Sequence, residues 1–235
     1  MTLTSPAKKE FVQKIFSEIT PQYDRLNRLM SLGLDQRWRK YVAGKLKNAR
    51  QVVDLCAGTG DMSLALLKEE EFKGKIMLVD FSPEMLQSAC RKITQAGFLD
   101  RVEFLIVEVE DLPFGDNSFD GAMQGFGLRN LGNLDKFFSE TKRILKKGAS
   151  AHLLEIAHPE NKAFRKIFYF YFYKFLPRLN SLISGNGAAY QWLPQSLKEF
   201  PNQKEMAEKM RQAGFGRVRY ENLAFGMVAC YHQIK

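Results

Sequence analysis

From residue 50 onward the chain alternates short runs rich in branched aliphatic residues with helical stretches, and the first junction between them is a glycine turn. The run QVVDLCAG leads to a helix through Ser63–Lys68, and KIMLVD to one through Glu84–Gln95. RVEFLIV opens an acidic loop, SFDGAMQGF precedes a helix through Leu134–Leu145, and SAHLLEI comes next. Strands that alternate with helices of about 10–15 residues imply an α/β fold, a parallel sheet with helices on both faces. RVRYENLAF and GMVACYHQI read as a closing antiparallel pair. Upstream, residues 8–19 and 34–47 read as amphipathic helices, with Phe11, Ile15, Phe16 and Ile19 at helical spacing. The chain thus divides into an N-terminal helical cap at 1–49 and a main domain at 50–235, with an aromatic and basic helical lid inserted at about 160–198.

The glycine turn, Asp54-Leu-Cys-Ala-Gly58-Thr59-Gly60-Asp61, stands where the first strand meets a helix. Gly58 and Gly60 permit close backbone approach, and the helix that follows points free N–H groups at whatever binds there. The second strand ends at Asp80, followed by Phe81, and a carboxylate there can take both hydroxyls of a ribose. A dinucleotide and S-adenosylmethionine both satisfy that geometry. The dinucleotide fingerprint wants Gly or Ala at position 63, which is Ser63, and Asp61 would meet a pyrophosphate as a like charge. A cofactor with an ammonium and a sulfonium tolerates that acid, and the acidic stretch Glu108-Val-Glu110-Asp111 continues the same edge. S-Adenosylmethionine is the cofactor these residues favour.

The net charge of +9 is unevenly placed: residues 1–50 carry 11 Lys/Arg against 4 Asp/Glu, whereas residues 51–157 carry 12 against 17. A basic flank suits nucleic acid, an anionic membrane or an acidic substrate, and charge alone does not choose among them. A nucleic-acid methyltransferase is one rival, but neither an NPPY/DPPY-type motif nor a Pro-Cys pair is present, and the aromatics run along a helix instead of forming a base pocket. A membrane-associated binding module without turnover is another. The three cysteines, Cys56, Cys90 and Cys230, have no metal-ligand spacing and suit a reducing compartment, so no metal is expected. No apolar leader and no run of about 18 apolar residues is visible, and the expectation is a cytoplasmic protein.

Several stretches make a more specific match. ITPQYDRLNRLMSLGLDQRWRK, VVDLCAGTGDMSLAL, GFGLRN and SLKEFPNQKEMAEKMRQAGF with YENL resemble the UbiE/MenG family of quinone-biosynthesis C-methyltransferases, over nearly the whole chain. That resemblance implies a Rossmann-like class I methyltransferase with a mostly parallel seven-stranded sheet. It implies transfer of a methyl group from S-adenosylmethionine to a ring carbon of a polyprenylated hydroquinol, demethylmenaquinol or 2-methoxy-6-polyprenyl-1,4-benzoquinol or both. Carried over by position, it implies cofactor contacts at Thr59, Asp80, Glu108, Val109 and Gly125, to which the turn adds Asp54, Gly58 and Gly60 and the second strand Phe81. Position 125 is often Ser in the family, and Gly125 offers only backbone atoms. Partners follow the substrate: a polyprenyl hydroquinol, and peripheral contact with an anionic membrane or a quinone-biosynthesis complex. No nucleic acid is expected, and a homodimer is compatible with the family.

For the chemistry, the protein must hold the ring within about 3–3.5 Å of the methyl and stabilise a phenolate. Arg129 follows the fourth strand at the carboxyl edge, where a guanidinium can stabilise phenolate charge or orient a water, though it stays charged and is no base. Its bland alternative is an ion-pair partner. Asn130 is placed to bond a quinol oxygen, and Tyr23, Asp24 and Asn27 are lid groups of the cap. His158, after the fifth strand, is a catalytic candidate, and Glu155 shares its neighbourhood. His152 reads as a satisfied sheet residue. From Ala163 to Leu179 eight of seventeen residues are aromatic, interleaved with Arg165, Lys166, Lys174 and Arg178. This segment suits an interface, a lid over a prenyl tail, or a buried packing helix. Beyond it, Tyr190, Trp192 and Ser196 resemble the family's substrate-side stretch.

Overall fold

A computed structural model describes residues 5–175 and 187–235, with side chains from Glu10 to Lys174 and from Trp192 onward. Arg178 lies outside the described residues, as does the side chain of Tyr190. The seven strands are β1 (Gln51–Leu55), β2 (Lys75–Asp80), β3 (Val102–Ile106), β4 (Phe119–Gly125), β5 (Leu145–Ile156), β6 (Arg217–Leu223) and β7 (Val228–Ile234). They lie in the order β3-β2-β1-β4-β5-β7-β6. The first five are parallel, and β7 runs antiparallel to both β5 and β6. The chain order reverses between β1 and β4, so their carboxyl ends form the crevice in which such sheets bind ligands.

Burial on both faces explains the composition of the central strands. Adjacent residues of β1 enter opposite layers: Val53 and Leu55 join Phe137, Phe138 and Met206, whereas Val52 packs with Leu66, Phe72 and Ile93. Helix α6 (Leu134–Ile144) starts where the sequence places it, α5 (Pro83–Gln95) one residue earlier and α4 (Asp61–Leu67) two residues earlier. In α5, Ser82 accepts from Met85 N and Pro83 stands in the first turn. The cap holds α1 (Ser5–Ile19), α2 (Tyr23–Ser31) and α3 (Leu34–Ala43). The lid holds α7 (Lys162–Phe170), a π-helical turn (Tyr171–Phe175) and α8 (Gly187–Lys198), and α9 (Gln203–Gln212) follows behind a capping box of Asn202 and Glu205.

One boundary differs from expectation. Leu145 ends no helix; it begins β5, which is twelve residues long. Phe119 pairs with Leu145, but Gly121 pairs with Ser150, so β5 carries an irregularity between them. A polar stretch containing Lys146, Lys147 and Gly148 hides that extension, because neither strand periodicity nor β-branching marks it.

Candidate active site

Two cavities meet at the carboxyl edge of the sheet. The first is a cleft walled by Gly58 of the turn, Asp80 at the end of β2 and Phe81 after it, Glu108 and Val109 after β3, and Gly125 at the end of β4. The second, about 470 Å³, is largely apolar and lies between the N-terminal helices and the aromatic segment, with Phe168, Tyr171, Phe172 and Trp192 among its walls. Phe16, Tyr23, Phe126 and Asn130 face both.

The floor of the cleft is rigid. Gly58 and Gly60 adopt φ of +55° and +77°, which side chains disfavour. Gly58 N donates to Asp80 Oδ2 at 2.8 Å and Ser82 N to Oδ1 at 3.0 Å, so the carboxylate is fixed with further acceptor capacity on each oxygen. Burial raises the Asp80 carboxyl to about 6 despite those N–H bonds. Behind it, Ser63 donates to Asp54 Oδ2 at 2.6 Å while Oδ1 is buried without a partner, and burial raises Asp54 to about 7. Burial, reinforced by Asp80 and Asp54, also pushes the Cys56 thiol upward, so this cleft residue stays protonated and weakly nucleophilic.

Three carboxylates, of Asp80, Glu108 and Glu110, and no Lys or Arg line the cleft among the described residues. That wall repels a pyrophosphate and suits a ligand with two positive centres. Asp80 matches a ribose, and the flanking Phe81, Met85 and Val109 match an adenine face. The residues present fit S-adenosylmethionine.

Thr59, Gly60 and Asp54 stand outside both cavities. Thr59 donates to Asp24 Oδ1 at 2.6 Å, and Lys92 reaches Thr59, Asp24 and Asp61 together. Burial alone would raise Asp61, but Lys92 and Arg39 hold it low. This polar knot fastens the cap to the glycine turn. Its Lys92 had no signature in the sequence, since a helical lysine ordinarily reads as solvated surface.

The catalytic candidates separate. Tyr23, Asn27, Arg129 and Asn130 wall the apolar cavity. Burial raises the Tyr23 phenol above its ordinary value, against the pull of Arg39 and its bond with Asn27, so it is a neutral hydrogen-bond donor at physiological pH. Arg129 is 5% exposed and donates from Nε to Glu155 Oε1 at 2.7 Å and from Nη1 to Ser196 Oγ at 2.8 Å. The ion-pair reading therefore holds for Arg129 together with its place in the wall. Asn130 Oδ1 accepts from Trp192 Nε1 at 2.9 Å, which turns its amide N–H groups outward from that bond. His158 lies outside both cavities: its Nε2 faces Phe200 O at 3.0 Å and must donate, so Nδ1 accepts from the Tyr169 hydroxyl at 2.7 Å. His152 is paired, Nδ1 to Nδ1, with His232 at 2.7 Å.

The ubiE/COQ5 methyltransferase family model matches residues 4–235. The chain belongs to that family. It is 41% identical to a demethylmenaquinone methyltransferase of Thermus thermophilus, with 92% of this chain and 98% of the other covered. It is 37% identical to the ubiquinone/menaquinone biosynthesis C-methyltransferase UbiE of Geobacter sp. (strain M21), covering 95% and 96%. Among solved structures it resembles a SAM-dependent methyltransferase from Aquifex aeolicus at a TM-score of 0.61 and 21% identity, covering 89% and 95%. The cyclase SpnF is similar at 0.71 and 18%, covering 100% and 97%, so the fold alone does not define the reaction. This ubiE/COQ5 family member is an S-adenosylmethionine-dependent methyltransferase. No helix among the described residues is long and apolar enough to cross a membrane.

Proposed function

We propose that this enzyme C-methylates a polyprenylated hydroquinol, demethylmenaquinol or the methoxy-benzoquinol or both. The observation that carries this reading is the apolar cavity of about 470 Å³ sharing Phe16, Tyr23, Phe126 and Asn130 with the cofactor cleft. Its volume falls within the range of about 300–1,000 Å³ common for small-molecule sites, and its apolar, aromatic wall suits a ring with a hydrocarbon tail.

S-Adenosylmethionine, when bound, supplies an electrophilic methyl. The ring carbon would become nucleophilic when its neighbouring hydroxyl gave up a proton to water. After methyl transfer, with the donor leaving as the neutral thioether, the hydrogen on that carbon would pass to water as the ring regains aromaticity, while the phenolate takes a proton back. Tyr23 and Asn130 donate hydrogen bonds at the junction of the cavities, where charge on that oxygen would develop. Arg129, held by Glu155 and Ser196, supplies positive field and fixes the stretch that carries Asn130.

A peripheral association with an anionic membrane extends the proposal. The outer face of the lid exposes Ile167 at 65% and Phe170 at 68%, between the exposed Lys166 and Lys174. The relatives' names favour a quinone precursor over nucleic acid. The test is transfer of labelled methyl into lipid extracts supplied with each quinol. Label in either product supports the proposal; cofactor binding with no label in either overturns it.

A further inference from the structure

The cofactor's amino-acid portion ends in a carboxylate, and the described wall of its cleft contains no cation to receive it. A charged group moved from water into such a place needs a partner of opposite sign or a set of hydrogen bonds. Four cations stand near enough to compare. Lys92 is held by Asp24, Asp61 and Thr59, and Arg129 by Glu155 and Ser196. Arg28 also has a buried Nη1 without a hydrogen-bond partner, but it faces neither cavity and reaches toward Asp61 at 3.6 Å.

Arg39 is different. It is 6% exposed, its Nε is buried with no hydrogen-bond partner, and its ion pair with Asp35 is a loose 3.8 Å. Asp35 meanwhile accepts from Ser31 Oγ at 2.9 Å and Gln36 Nε2 at 3.0 Å, so its own needs are met without the arginine. A buried guanidinium without hydrogen bonds is costly, and such a group in a cavity wall calls for an anionic ligand.

Its position is set by Gly125. A Cβ at that residue would lie 2.9 Å from Arg39 Nη1 and 2.8 Å from Met62 Cε, so a side chain there would displace the tips of both. From there Arg39 stacks over the Phe126 ring at 5.0 Å, and both Gly125 and Phe126 line the cofactor cleft. Arg39 itself lines the apolar cavity, and its guanidinium lies beside Gly125 and Phe126, the residues that carry the wall over into the cleft.

We propose that Arg39 is the residue that binds the carboxylate of the cofactor's amino-acid portion, in the space left by the missing side chain at Gly125. The pairing is planar guanidinium with planar carboxylate, the arrangement to which arginine is best suited.

The test is calorimetry on the full-length enzyme with S-adenosylmethionine and with its decarboxylated analogue, which differs only by the carboxylate. The wild type should bind the complete cofactor at least 10-fold more tightly. Arg39→Gln should abolish that preference by weakening the complete cofactor alone, and Arg39→Lys should recover part of it. Asp35 keeps its bonds to Ser31 and Gln36 in the variant, and a thermal melt checks its folding. Equal loss for both ligands makes Arg39 structural and overturns the proposal. Unchanged affinity for both, with a weakened quinol, assigns the guanidinium to the acceptor and overturns it as well. Failure of quinol methylation with the cofactor preference intact touches only the proposed substrate.

Discussion

Thr59 and Asp24 join the cofactor turn to the cap through a hydrogen bond of 2.6 Å, and Lys92 touches both residues as well as Asp61. The N-terminal helices supply Val12, Gln13, Phe16 and Tyr23 to the wall of the cleft, so a looser knot is expected to ease cofactor exchange. Lys92→Met should speed cofactor release and raise its KM about 3- to 10-fold, on the order of 1 kcal/mol. Stopped-flow displacement of a bound analogue checks it, and an unchanged off-rate argues that the cap is held elsewhere.

Asp80 gives the binding step a pH dependence. Ribose hydroxyls donate to the ionised carboxylate, whose value in the free enzyme is raised to about 6 by burial. Binding therefore releases a proton at and below that pH. Affinity should rise as pH increases toward about 6 and level off above it, with proton release seen as a dependence of the calorimetric heat on buffer ionisation. A flat profile from pH 5 to 8 would separate Asp80 from the ribose.

Removing Arg129 has two consequences. Glu155 is fully buried and would keep its charge without its partner, a loss of about 3–5 kcal/mol in stability. Arg129→Ala should thus lower both melting temperature and turnover, with turnover falling far more than cofactor affinity. Arg129→Gln combined with Glu155→Gln should recover stability and leave turnover low. Recovery of both would reduce Arg129 to a packing role.

The His152–His232 pair should make the fold acid-sensitive. Burial, then His232, pulls His152 down to about 3, and burial also lowers His232. Lys45 and Arg219 add to both depressions, against the opposing pull of Glu221, and Ser150 Oγ faces His152 Nε2 at 3.0 Å. A histidine with a depressed native value contributes stability that is present above about 6.5 and lost as pH falls toward about 3. Asp54 and Asp80, raised to about 7 and about 6, act in the opposite sense, favouring the fold at low pH. His152→Asn should flatten the decline of melting temperature between pH 6.5 and 4 by several degrees, as differential scanning fluorimetry reads it. An unaltered slope would place the acid response in other groups.

The sheet was legible in the sequence because β1, β2, β3 and β5 announce themselves by branched aliphatic residues, whereas β4, FDGAMQG, shows itself only by its place in the alternation of strands and helices. The place of Gly58 and Asp80 in the cleft wall was legible because it depends on local backbone geometry and on the end of a strand, whereas Gly60, read alongside them, lies outside both cavities. Arg39 was not, since its meaning arises only when the absence of a side chain at Gly125, eighty-six positions away, opens room for it. His158 looked catalytic from its place after β5, yet the Phe200 carbonyl and the Tyr169 hydroxyl occupy both ring nitrogens, and neither contact is local in sequence. The extension of β5 back to Leu145 is likewise imposed by pairing partners rather than by the propensity of Lys146 and Lys147.

The partition made by Phe16, Tyr23, Phe126 and Asn130 has a kinetic meaning. With the cofactor in the cleft and the proposed quinol in the apolar cavity, both would touch these four residues, and any dependence of one affinity on the other acts by the same factor in both directions. Donor and acceptor are then expected to meet as a ternary assembly before either product departs.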